Sequence, residues 1–211
     1  MSGLKCERTM EQKIFFSASD GIELEGALFS GNDKAVILAH PHPLYGGNMD
    51  NLVIFEIAAA CRARGLTTLR FNFRGAGQSQ GAYDQGEGEQ KDLLAAADYV
   101  QARGARAIDL IGYSFGAWVL AHADTGKLPP GKMLMIAPPA AMMNFDGLRP
   151  CSRLKLAITG SEDEIAPPAL VEKLLPRINP AAELRVISGA DHFFSSGMAE
   201  LKTAVSDFMY D

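Results

Sequence analysis

The chain predicts an α/β fold, with a mostly parallel sheet opened by an antiparallel hairpin and covered by helices. Three features carry that expectation. Two strand-like runs stand near the start with Asp20-Gly21 between them. From Lys34 onward, short aliphatic runs alternate with longer segments of helical character. Several of the short runs are apolar on both faces, which suits a parallel sheet covered on both sides.

Taken in order, QKIFFSA and IELEGALFS form the hairpin, joined at Ser19-Asp20-Gly21, because Asp-Gly between two such runs is a strong turn signal. The later strands are AVILAH (35–40), TTLRFNF (67–73), AIDLIG (107–112), KMLMIA (132–137), LKLAIT (154–159) and ELRVI (183–187). Between them the spacing predicts helices over Leu52–Arg64, Glu89–Arg103, Phe115–Asp124, Pro168–Arg177 and Ser195–Met209. In the second helix, Leu93, Leu94, Ala97 and Val100 make an apolar stripe, while Lys91, Asp92 and Gln101 are polar. With 211 residues, 47% of them apolar, residues 1–211 suit one full-sized domain.

Composition narrows the function. The net charge is −5 and the 20 Lys and Arg are scattered without a basic run, which argues against nucleic acid or an anionic membrane as partner. No apolar run approaches membrane-spanning length, and MSGLKCERTMEQK has no apolar stretch behind its charges, so no signal peptide is expected. Cys6, Cys61 and Cys151 are far apart and without C-x-x-C pairing, as befits a reducing, cytoplasmic setting.

The pattern Gly-x-Ser-x-Gly occurs twice, as GQSQG (77–81) and GYSFG (112–116). Such a pattern presents a nucleophile only where a buried strand turns sharply into a helix, and its glycines are needed where backbones come close. GYSFG has that setting: AIDLI feeds into it and AWVLAHA leaves it. GQSQG follows RGA and precedes the Gly-rich GAYDQGEG, where no helix starts before about Glu87, so Ser79 reads as a loop residue. RGAGQS also lacks G-x-G-x-x-G and the Gly-Lys-Ser/Thr of a phosphate loop. Ser114 is the candidate nucleophile.

A serine hydroxyl needs a base. Of four histidines, His122 lies two turns into the helix after the elbow and points away. His40 and His42, in HPHPLYGGNMDN, invite a metal reading, but no third ligand cluster accompanies them. His192, in the loop between the last strand and the last helix, is the natural base. The acid that would fix its tautomer comes from TGSEDEIAPP, which offers Glu162, Asp163 and Glu164, with Asp163 the leading choice of the three by residue type. Asp191 is too close in sequence to reach round to Nδ1. An oxyanion hole would take one N–H from Phe115, directly after the nucleophile, and one from the loop after AVILAH. Pro41 and Pro43 have none to donate. His42, Leu44 and Tyr45 are left, with His42 favoured.

With these stretches assembled, the chain resembles the α/β-hydrolase superfamily, and most of all its small bacterial members related to dienelactone hydrolase. The carrying segments are HPHPLYGGNMDN, LRFNFRGAGQSQGAYDQGEGEQKD, GYSFGA, TGSEDEIAPP and GADHFF. The resemblance selects Asp163 as the acid, because Gly160, Asp163 and Pro167 match the superfamily's G-x-x-D-x-x-x-P pattern. It also makes Ser79 part of a non-catalytic Arg-Gly-x-Gly-x-Ser turn. Dienelactone hydrolases carry cysteine at the elbow, and this chain departs from them with Ser114. Only PPAAMMNFDGLRPCS follows KMLMIA, too short for the helical lid of many relatives, so an open, lidless site is expected. Leu44, Tyr45, Met142, Phe193 and Phe194 are the candidate pocket residues. The expected activity is hydrolysis of small carboxylic esters through Ser114, His192 and Asp163, without metal or organic cofactor. Thioester or small-peptide hydrolysis is the nearest alternative. A non-catalytic protein of the same fold that binds a ligand or partner is the rival of another class.

Overall fold

A computed structural model describes residues 10–210; Cys6 and most of the N-terminal stretch read for a leader lie outside them. Eight strands form one sheet in the order β1-β2-β4-β3-β5-β6-β7-β8. The hairpin β1 (Gln12–Ser17) and β2 (Glu23–Phe29) is antiparallel, with Gln12 opposite Leu28 and Ser17 opposite Glu23. Strand β2 then runs antiparallel to β4 (Thr67–Phe71), and every later pairing is parallel.

The central strands β3 (Lys34–Ala39), β5 (Ala107–Tyr113), β6 (Met133–Ile136) and β7 (Leu154–Gly160) are buried over nearly their whole lengths, as their two-faced apolar runs require. At the edge, β8 (Glu183–Ile187) keeps most of its side chains partly or fully in solvent. Flanking the sheet are α1 (Leu52–Ala63), α2 (Glu87–Gln101), α3 (Phe115–His122), α4 (Pro168–Ile178) and α5 (Met198–Tyr210). Helix α1 packs on α5, and α2 on α3. The Asn51 side chain caps α1 by accepting from the Val53 N–H. No helix among the described residues is long and apolar enough to cross a membrane.

Three expectations need correction. Strand β4 ends at Phe71, not Phe73. Beyond it the Asn72 N–H still donates to the Glu25 carbonyl of β2, but the Phe73 N–H donates to the His40 imidazole instead of to a neighbouring strand, so the run does not continue as strand to Phe73. Helix α5 starts at Met198, because Ser195 donates its N–H to Asp191 and Gly197 adopts φ 85°. Asp92, grouped with the polar side of α2, is fully buried and pairs with Arg74 at 2.7 Å. A buried carboxylate is tolerable there because the guanidinium and the Arg74 N–H both bond to it. Among the described residues the segment between β6 and β7 holds no helix, so no helical lid is inserted there.

Candidate active site

Strand β5 ends at Tyr113 and α3 begins at Phe115, so Ser114 alone makes the turn between them. It does so at φ 54°, ψ −116°, a left-handed conformation costly for a residue with a side chain. The two glycines of the motif explain how the backbone fits. A Cβ on Gly116 would lie 2.2 Å from the Ala39 carbonyl oxygen, and one on Gly112 would lie 2.5 Å from the backbone of Gly116. The turn is anchored by the Ser114 N–H, which donates to the Ile136 carbonyl of β6 at 2.8 Å.

His192 comes from the loop after β8, and Asp163 from the loop after β7. The Ser114 Oγ lies 3.0 Å from His192 Nε2, and His192 Nδ1 lies 2.9 Å and 3.0 Å from the two carboxylate oxygens of Asp163. All three side chains are buried. The carboxylate is itself held, since Asp163 Oδ1 accepts from the N–H groups of Ile165 (2.9 Å) and Ala166 (2.6 Å). The acid and histidine loops are tied to each other where the Glu162 N–H donates to the Ala190 carbonyl at 3.0 Å. With Nδ1 protonated toward Asp163, Nε2 is free to take the serine proton, the arrangement a nucleophilic serine needs. Asp191, meanwhile, bonds the N–H groups of Phe193 and Ser195 in its own loop.

A cavity of about 400 Å³ opens over Ser114. His42, Tyr45, Met142 and Phe193 line it, together with Phe115. Two of the pocket candidates fall outside it. Leu44 lies in solvent on the outer side of its loop and does not line the cavity. Phe194, at φ 52°, is buried in the core against Tyr113, while Phe193 is exposed at the cavity. How two adjacent loop residues part in this way depends on backbone angles and packing partners, which residue type does not report. Sequence reasoning missed Tyr113, Met143 and Ile165. All three line the cavity, and the Tyr113 hydroxyl donates to the His192 carbonyl at 2.9 Å and so holds that histidine from behind. Tyr113 stands inside GYSFG, so its nearness to Ser114 was already legible.

The N–H groups of Phe115 and His42 find no acceptor among the described residues, although both residues line the cavity. Phe115 is the first residue of α3, where an N–H has no partner within the helix. The other histidines are engaged elsewhere. His40 is fully buried; its Nδ1 donates to the Pro41 carbonyl (2.6 Å) and its Nε2 accepts from the Phe73 N–H (3.0 Å). Burial pushes its imidazole down to about 4. His122 stacks on Trp118 at 4.0 Å, away from the site. Ser79 is buried and bonded twice, donating to the Asn72 carbonyl (2.7 Å) and accepting from the Glu25 N–H (2.9 Å).

Comparison with known proteins agrees with this architecture. No family model matches the chain. An uncharacterized protein of Rickettsia prowazekii is 33% identical, over 93% of this chain and 88% of its own. Among solved structures, an α/β serine hydrolase without a lid from Xanthomonas campestris is 33% identical, with a TM-score of 0.85 over 94% of this chain and 93% of that one. An α/β serine hydrolase homologue from Coxiella burnetii is 32% identical, with a TM-score of 0.85 over 95% and 98%. The chain belongs to the α/β-hydrolase family, among its members without a lid.

Proposed function

We propose that the protein is a serine hydrolase that cleaves small, uncharged carboxylic esters through an acyl-enzyme. One observation carries the reading: Ser114 Oγ stands 3.0 Å from a histidine whose other ring nitrogen is held at 2.9 Å by a buried aspartate. In this mechanism Ser114 Oγ attacks the ester carbonyl carbon while its proton passes to His192 Nε2. The N–H groups of Phe115 and His42 stabilise the oxyanion, and Asp163 stabilises the imidazolium. Collapse of the tetrahedral intermediate breaks the bond to the alcohol oxygen, which takes the proton from His192. Water then attacks the acyl-enzyme carbonyl, giving its proton to the same nitrogen; the bond from that carbon to Ser114 Oγ breaks, Oγ takes the proton back from His192, and the carboxylic acid leaves. Positioned proton transfer contributes ~10²–10⁴ in rate and each oxyanion donor ~10²–10³.

The cavity supports the substrate class. Among the described residues no Asp, Glu, Lys or Arg side chain lines it, and Tyr45, Met142 and Phe193 form exposed apolar walls at an open mouth. Uncharged acyl and alcohol groups fit such walls, whereas a carboxylate on the substrate would find no cation there. The test is a fluorophosphonate probe on the protein and on Ser114→Ala, read as adduct mass. A single adduct that disappears in the variant is the expected result. A folded wild-type protein that stays unlabelled would refute the mechanism and favour a binding role. Rates on matched ester, thioester and amide substrates then rank the acyl class, with the ester expected to be fastest.

A further inference from the structure

The loop that follows β3 offers more than a backbone N–H. His42 Nδ1 accepts a hydrogen bond from the Leu44 N–H at 3.3 Å, so a side chain caps the short 3-10 turn Pro43–Tyr45. The His42 carbonyl accepts from the N–H groups of Tyr45 (3.1 Å) and Gly47 (3.0 Å), closing the loop beneath it. Closure needs glycine at 47, where a Cβ would fall 2.1 Å from the Pro41 carbonyl oxygen. The imidazole is gripped by three rings, with centroids 4.7 Å from Phe115, 4.8 Å from Tyr83 and 4.9 Å from Tyr45. Phe115 is also the residue whose N–H follows the nucleophile. One side chain therefore touches both halves of the anion-binding geometry.

We propose that the His42 imidazole is a positioning residue: its Nδ1 bond to Leu44 and its packing on Phe115 hold the His42 and Phe115 N–H groups in place for the oxyanion. The inference rests on the serine-hydrolase reading above. Accepting at Nδ1 requires that ring nitrogen to be unprotonated, and burial, which lowers the affinity of His42 for a second proton, favours that form. The bond has the i to i+2 pattern of an Asx turn, which asparagine makes with its own side-chain oxygen. Asparagine places its oxygen near the position of Nδ1, whereas glutamine places its polar atoms near Nε2. The two amides therefore separate a loop lock at Nδ1 from a substrate contact at Nε2.

The experiment measures steady-state hydrolysis of a chromogenic acetate ester and fluorophosphonate labelling for wild type, His42→Ala, His42→Asn and His42→Gln, with thermal unfolding of each. Loosening an oxyanion donor acts in the transition state, so His42→Ala is expected to lower kcat about 10- to 100-fold while KM changes by less than about 3-fold. His42→Asn is expected to recover kcat to within about 3-fold of wild type, since the Asx bond replaces the imidazole bond. His42→Gln should stay near the alanine value. If His42→Ala does not fold, the asparagine and glutamine pair decides alone. Recovery by glutamine and not asparagine would overturn the lock and point to a substrate contact. Equal kcat in wild type and alanine variant would overturn any role of the ring. A wild type that neither labels nor hydrolyses would fail the serine-hydrolase reading itself, and the positioning role with it, whereas labelled Ser114 with kcat unmoved by His42→Ala fails the positioning role alone.

Discussion

Gly116→Ala tests the elbow most directly. The added Cβ would lie 2.2 Å from the Ala39 carbonyl oxygen and 2.6 Å from its carbon, both backbone atoms that cannot rotate away. Ordinary contact begins near 3.4 Å, so the start of α3 must retreat from β3 by about 1.2 Å, the difference between 3.4 Å and 2.2 Å. Overpacking of this kind costs about 1–3 kcal/mol of stability. Ser114, His192 and the Phe115 N–H would then fall out of register by a similar distance, and a misplacement of about 1 Å lowers the rate on the order of 10²-fold. The assay is kcat/KM on a chromogenic ester beside urea unfolding, with Gly126→Ala as control, since a Cβ there meets only Asp124 at an ordinary 3.4 Å. Gly116→Ala should lose about two orders of magnitude in kcat/KM while still folding, and the control should lose neither activity nor stability. A folded Gly116→Ala protein with wild-type kcat/KM would refute the reasoning, because it would show the elbow yielding without moving Ser114.

Two further expectations concern the residues that sequence motifs make tempting. Ser79→Ala should leave kcat/KM within about 2-fold of wild type but cost about 1–3 kcal/mol in unfolding, because the Glu25 N–H and Asn72 carbonyl lose a buried partner; a large loss of activity at unchanged stability would contradict this. His40 should make the protein acid-labile: its folded imidazole titrates at about 4 against an ordinary 6.5, so the unfolded chain binds the extra proton first. Its share of stability is full above pH 6.5 and declines as pH falls toward 4, in total on the order of 3 kcal/mol for a gap of about 2.5 units. Urea titrations between pH 7.5 and 4.5 should show a shallower decline in His40→Gln than in wild type, and equal slopes would exclude His40 as the cause.

Much of this protein was legible in its amino-acid order, and the reason is that the informative features are local. A nucleophile elbow is a strand, a one-residue turn and a helix in direct succession, so AIDLIGYSFGAWVLAHA declares it and RGAGQSQGAYD does not. Covered parallel strands must be apolar on both faces, and the runs that become β3, β5 and β6 carry that pattern in their residue types. The absence of a lid is likewise a matter of counting residues between KMLMIA and LKLAIT. Other decisions were beyond local reading. Residue type made Asp163 only the leading choice over Glu162 and Glu164, and it was the resemblance that selected it. The fold brings Asp163 to the imidazole, because the Ile165 and Ala166 N–H groups turn its carboxylate inward, across 29 residues of sequence. The same dependence on distant partners buried Asp92 with Arg74, sent Phe194 into the core while Phe193 faced the cavity, and placed Tyr113 behind the histidine. Residue order determines which chemistry is available and on which kind of turn it stands. Only the packing of loops from separate strands determines which side chains meet, because their contacts depend on backbone angles and neighbours that no short stretch of sequence contains.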